Sequence, residues 1–119
     1  MRRKLSLMAL IGGLLLSGNA ALAHARLTLA VPAADSVVAA APATIALTFN
    51  EAVMLITCKV VDAQGREVGG PAMADGKTLR VPLKTGLGVG RYTVNYRVAG
   101  DDGHAMNGTM SFSVQAAKP

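Results

Sequence analysis

The feature that most constrains this chain is the period of its apolar residues. Beyond residue 26 they recur at every second position, and no stretch carries them at the three-and-four spacing of a buried helix face. Alternate residues of an extended chain point to opposite faces, so this pattern predicts sheets with one dry side and one wet side. Leu27, Leu29 and Val31 alternate with Arg26, Thr28 and Ala30 and predict a half-buried first strand ended by Pro32. The alanine-rich stretch from Pro32 to Pro42 reads as loop, with a turn at Asp35-Ser36. Ile45, Leu47 and Phe49 predict a second strand that runs into Asn50-Glu51. The segment from Val53 to Val61 is apolar on both faces, with Met54, Ile56, Cys58 and Val60 on one side, as expected of a central strand.

Asp62-Ala63-Gln64-Gly65 is a turn leading into a short strand from Arg66 to Val68, which Gly69-Gly70-Pro71 breaks. Leu79, Val81 and Leu83 alternate with Thr78, Arg80 and Pro82, where the proline argues for an edge position. From Arg91 to Val98 the alternation is clearest, with Tyr92, Val94, Tyr96 and Val98 on the inner face. A loop from Ala99 to Ala105 follows, and Met106, Gly108, Met110, Phe112 and Val114 define a closing strand. About seven short strands with regular turn signals predict an all-β immunoglobulin-like Greek-key sandwich or barrel. Gly90-Arg91-Tyr92 at the start of a late strand resembles the tyrosine corner of such folds.

The start of the chain is not part of this pattern. Met1-Arg2-Arg3-Lys4 is basic, Leu5 to Leu16 is apolar, and Ala21-Leu22-Ala23 is a small-residue cleavage site, which together read as a secretory signal over residues 1–23. Cleavage after residue 23 of 119 leaves 96 residues, enough for one domain over 24–119. Three of the twelve cationic side chains leave with the signal, which lowers the formal charge from +5 to +2. The remaining cations are scattered and form no footprint for nucleic acid. Cys58 is the single cysteine, so the exported domain is held by packing without an internal disulfide.

Cleavage at Ala23 makes His24 the first residue, and a first residue carries an α-amine beside its imidazole. Those two nitrogens can close a six-membered chelate ring on one ion. The other histidine, His104, stands two residues after Asp102, and in an extended segment that spacing aims both side chains one way and Asp101 the other. Gly100 and Gly103 let the loop bend close to a ligand. Three nitrogens and one carboxylate oxygen suit tetragonal Cu(II) best and satisfy zinc as well. Nothing offers the oxygen cage of calcium or magnesium.

Glu51 follows a strand and reads first as a solvated loop carboxylate, with an outer-sphere or axial role as the alternative. Met54, Met106 and Met110 fall in strands and read as core, as does Cys58. Gly86-x-Gly88-x-Gly90 has the spacing of a phosphate loop but no helix after it, and reads as a strand entry.

From Leu87 the chain runs Leu-x-x-Gly-x-Tyr-x-Val-x-Tyr-Arg-Val, then Asp102-Gly103-His104-x-x-x-Gly108, then Phe112-x-Val114. Together with His24, Val31-Pro32-Ala33-Ala34-Asp35-Ser36 and Leu47-Thr48-Phe49-Asn50-Glu51, this resembles the periplasmic copper-resistance CopC family along essentially the whole mature chain. The resemblance implies a seven-stranded Greek-key barrel that binds one Cu(II) at the positions of His24, Asp102 and His104. It also implies a periplasmic, non-enzymatic carrier that passes copper to an inner-membrane transport partner. Some members of that family hold Cu(I) on a methionine-rich loop. Here the corresponding stretch from Asp62 to Lys77 has Met73 alone, so the chain resembles the cupric-only kind. The chain is expected to be a monomer.

Two other functions fit parts of the pattern. An N-terminal histidine chelate with a second histidine is also the copper site of polysaccharide-cleaving monooxygenases, but those need an aromatic platform, and the chain has only Phe49, Phe112, Tyr92 and Tyr96, all at core positions. A metal-free interaction domain of the same fold would leave the His24 junction as coincidence.

Overall fold

The computed structural model describes residues 25–117. Among them the regular structure is β throughout: β1 (Leu27–Val31), β2 (Val37–Val38), β3 (Thr44–Phe49), β4 (Met54–Val61), β5 (Met73–Asp75), β6 (Thr78–Pro82), β7 (Gly90–Ala99) and β8 (Ala105–Val114). They form two four-stranded sheets, β1-β3-β6-β5 and β2-β8-β7-β4. Every pairing is antiparallel except that of β2 with β8. The expected all-β sandwich is the fold.

The alternation explains the core. Ile45, Leu47 and Phe49 of β3 and Leu79 and Val81 of β6 turn inward from one sheet. Val94 and Val98 of β7 and Met110, Phe112 and Val114 of β8 turn inward from the other. Each fully buried side chain of this size contributes about 1.5–3 kcal/mol. Tyr92 stacks on Phe112 at 5.7 Å between ring centroids, and Tyr96 meets Phe49 edge-on at 5.4 Å. Gly108 stands opposite Tyr96 in the β7–β8 register, and the Tyr96 ring fills the space where a Cβ would be.

Five readings of the pattern need correction. In β1 the pairing advances two residues, Leu27 to Leu29, while β3 advances one, Phe49 to Thr48. This bulge turns the strand over. Ala30 therefore faces the core, while Leu29 and Val31 are more than half exposed. A second bulge between Leu55 and Thr57 does the same to β4, which is an edge strand and not a central one. Leu55, Cys58 and Val60 turn inward, and Met54 and Ile56 are exposed.

β6 lies between β3 and β5, and Pro82 is tolerated because it is the last residue of the strand, beyond the end of the short β5. Arg66 to Val68 makes an isolated bridge from Glu67 to Val61 and no strand of its own, whereas β2 forms in the alanine-rich stretch that reads as loop, and β5 in one where the pattern assigns no element.

The expected turn after β4 is built as drawn. The Asp62 carboxylate accepts the N–H groups of Gln64 and Arg66 at 2.9 Å each and the Arg66 Nε at 3.0 Å, and Gly65 takes φ 83°. At the start of β7 the Tyr92 hydroxyl donates to the Gly88 carbonyl at 2.6 Å, which is the tyrosine-corner contact.

Candidate metal centre

The loop of residues 100–104 joins the last residue of β7 to the first of β8, which face each other as Ala99 and Ala105. A turn closes it, with the Gly103 N–H donating to the Gly100 carbonyl at 3.0 Å and Gly103 at φ 81°, where a Cβ is strained. Inside that turn Asp102 Oδ1 accepts the His104 backbone N–H at 3.0 Å, an Asx turn. Asp102 Oδ2 lies 2.8 Å from His104 Nδ1. The carboxylate and the imidazole meet, as the sequence spacing suggests, but the mechanism is a turn with a left-handed glycine and not the alternation of an extended strand.

The Asp102 side chain is about three-quarters covered, at 25% exposure, while His104 is 68% exposed. One partner is thus held and the other faces solvent.

A second connection supports the loop from below. The Asp101 backbone N–H donates to Glu51 Oε1 at 2.8 Å. Glu51 follows the end of β3, where the Asn50 N–H donates to the Arg26 carbonyl at 2.9 Å and the Arg26 N–H donates back to Asn50 Oδ1 at 2.6 Å. These bonds tie the first described residues to the end of β3. Ala25 is buried, and it lies against Gly100 so closely that a Cβ on Gly100 would sit 3.4 Å from that of Ala25 and 2.8 Å from Glu51 Oε1. The loop, Glu51 and the entry of the chain therefore share one end of the sandwich. Gly100 and Ala25 escape a search for chemistry-bearing side chains, since what they supply is room.

His24, the remaining expected ligand, lies outside the described residues, as does the expected signal over 1–23. Among the described residues no group of three His, Cys, Asp or Glu comes together, so Asp102 and His104 are the pair on which a site can be built. Asp101 is exposed and engaged here through its backbone. Of the methionines expected in the core, Met110 is buried, Met106 is half-buried and Met54 is exposed. The difference for Met54 follows from the β4 edge position. Met73 is exposed on β5. Cys58 faces Tyr96 across β4 and β7, and burial pushes its thiol up to about 11, which keeps it protonated near neutral pH.

Comparison with known proteins agrees with the fold and bears on the site. Residues 27–115 match the CopC domain model. The chain is 37% identical over 105 residues to Protein YobA of Escherichia coli K12, covering 78% of this chain and 80% of that one. It is 33% identical over 111 residues to copper resistance protein C of Xanthomonas campestris pv. juglandis, covering 84% and 87%. Among solved structures it superposes on CopC from Methylosinus trichosporium OB3b with a TM-score of 0.72 at 30% identity, covering 81% of this chain and 98% of that one. PcoC, a methionine-rich copper resistance protein from Escherichia coli, gives 0.65 at 31%, covering 78% and 100%.

Proposed function

The chain belongs to the CopC family, and on that premise we propose that it is a periplasmic carrier holding one Cu(II) through His24, Asp102 and His104. In this reading the signal is removed after Ala23, and His24 supplies its α-amine and imidazole as a chelate. Asp102 and His104 complete the set. The ion then passes to an inner-membrane transport partner.

The observation that carries the reading is the 2.8 Å between Asp102 Oδ2 and His104 Nδ1. Two donors each about 2.0 Å from one ion and at right angles to each other stand about 2.8 Å apart, the spacing of neighbours in a tetragonal array. Asp102 Oδ2 and His104 Nδ1 would hold a cupric ion between them once the hydrogen they share is lost and the two groups turn toward it. Ala25 packs against Gly100 of that loop, and His24 precedes it in the chain, which favours His24 as the third contributor. Glu51 acts from outside, because its carboxylate takes the Asp101 N–H and so holds the ligand loop.

The enzyme reading lacks its platform. Phe49, Tyr92 and Phe112 are buried and Tyr96 is half-buried, so no aromatic surface is offered to a polymer.

Titration of the mature protein with Cu(II), followed by electron paramagnetic resonance and a competing chelator, tests this reading. One tight ion per chain is expected, with affinity falling from about pH 7 to 5, because α-amines as a class are already protonated there and must lose a proton to coordinate, and imidazoles as a class take one up in that range. A form with one extra residue before His24 turns the amine into a peptide nitrogen and should bind at least a hundredfold more weakly, about 3 kcal/mol. Equal affinity and identical spectra for the two forms would remove the amine chelate.

A further inference from the structure

We propose that the hollow between the turn after β4 and the loop before β7 binds a small oxyanion of the phosphate class. It lies at the end of the sandwich where Gly90 pairs with Val114, the length of β7 away from the loop of Asp102 and His104. Ten residues of strand separate the two ends by about 30 Å. The hollow measures about 390 Å³, and the charged side chains in its wall are two arginines, Arg66 and Arg91, against one carboxylate, Asp62.

The carboxylate is engaged inside its own turn. Asp62 Oδ1 accepts the Gln64 and Arg66 N–H groups, Oδ2 accepts Arg66 Nε, and Arg66 Nη2 donates to Gln64 Oε1 at 3.4 Å. These bonds hold the guanidinium by two of its nitrogens and leave Nη1 without a partner among the described residues. Arg91 pairs with Asp35 at 3.4 Å, but both side chains are largely exposed, and such a pair is weak enough to share the arginine with an arriving anion. Two guanidinium groups beside one hollow suit the oxygens of a phosphate, which the planar fork can take in pairs.

The backbone of the wall adds neutral donors. The N–H groups of Gly88 and Val89 reach no acceptor among the described residues, and consecutive N–H groups in a turn are a recurrent anion cradle. The Tyr92 hydroxyl, bonded to the Gly88 carbonyl, holds that segment in place. Gly86 and Gly90 are glycine because their φ of 78° and 144° strains a side chain. Gly88 is not under that constraint. Its φ is not positive, and a Cβ there would meet nothing within 4 Å, so the fold alone would accept alanine. Bare backbone at 88 lets a ligand approach the N–H closely, which is the other use of glycine. A tetrahedral oxyanion fills only part of the hollow, so a phosphoester with a small organic group, free or in a lipid headgroup, fits as well as the inorganic ion.

Amide NMR spectra of the copper-free mature protein, titrated with inorganic phosphate at constant pH and ionic strength, test this. Saturable shifts confined to residues 62–66 and 86–92 are expected, with none from chloride at the same ionic strength. Arg91→Gln should weaken binding at least tenfold. Gly88→Ala should do the same while leaving the unfolding midpoint unchanged, which separates a ligand contact from a structural role. Flotation with phosphatidylglycerol vesicles identifies the source of the phosphate. Vesicle binding that inorganic phosphate competes away and Arg91→Gln abolishes assigns the site to headgroups, whereas phosphate binding without vesicle binding assigns it to a free oxyanion, and either result supports the proposal. Shifts that do not saturate, that chloride reproduces, or that spread equally to Lys59, Lys84 and Arg97 would overturn it. So would Arg91→Gln and Gly88→Ala titrating like the parent.

Discussion

The strand β7 begins and ends in loops of opposite design. At its start Tyr92 is buried, stacked on Phe112 and bonded to the Gly88 carbonyl, so side chains lock the loop into the core. At its end Asp102 and His104 meet on a turn held mainly by backbone donors, with Glu51 reaching in from 50 residues away. The first end can spend its polar group on stability because nothing else needs it. The second must leave donor atoms accessible to an ion, so its order comes from beneath. Substitutions at the start of β7 should therefore change unfolding and leave copper binding alone, and those at its end should do the reverse.

The sharpest test of that separation is His104→Ala, with Asp102→Ala beside it. Each removes a proposed ligand from an exposed loop, and we expect copper affinity to fall about a hundredfold, near 3 kcal/mol. Stability should stay within about 0.5 kcal/mol of the parent for His104→Ala, an exposed side chain, and fall by about 1 kcal/mol for Asp102→Ala, which also gives up the bond from the His104 N–H. Chelator competition and thermal denaturation of the same samples check both halves. A large loss of stability would mean that the loop is part of the folding unit.

Gly100→Ala tests whether the support beneath the loop matters to the ion. The new Cβ would lie 2.8 Å from Glu51 Oε1, so the carboxylate must leave the Asp101 N–H. We expect affinity to drop about tenfold, ~1.4 kcal/mol, with a comparable loss of stability from the broken bond. Glu51→Ala should have a similar effect, and the double variant should be far from additive because both changes act through one contact. Full additivity would separate Glu51 from the loop.

At the other end, Tyr92→Phe keeps the ring and removes the hydroxyl that donates at 2.6 Å. The expected cost is about 1 kcal/mol, or about 4–8 °C in Tm for a domain of this size, with copper affinity unchanged. A changed affinity would show that the two ends of β7 are coupled.

This contrast also explains what the sequence does and does not disclose. The inner face of β7 and the tyrosine corner are legible because period and local spacing set them. The same period misplaces Leu29, Val31, Met54 and Ile56, because one extra residue in each edge strand inverts the faces, and nothing in the composition marks a bulge. The Asp102–His104 pair is visible as a spacing, but its geometry depends on Gly103 at positive φ. The Glu51–Asp101 bond and the packing of Ala25 on Gly100 join parts of the chain that only the folded sandwich brings together. No local pattern records them.

The smallest expected effect carries the finest distinction at the site, that between Asp101 and Asp102. The two carboxylates are adjacent in sequence, and composition alone cannot rank them. The structure separates them by use. Asp102 applies both carboxylate oxygens to His104, one to its backbone N–H and one to its ring, whereas Asp101 meets Glu51 through its own backbone N–H, which any residue but proline supplies. Asp101→Ala should therefore change copper affinity by no more than about threefold, less than ~0.7 kcal/mol, and stability by less than about 0.5 kcal/mol. Asp101→Pro removes the N–H and should lower affinity toward the Gly100→Ala level. If Asp101→Ala instead matched Asp102→Ala, the carboxylate at 101 would be a ligand and the pairing of Asp102 with His104 would not be the basis of the site.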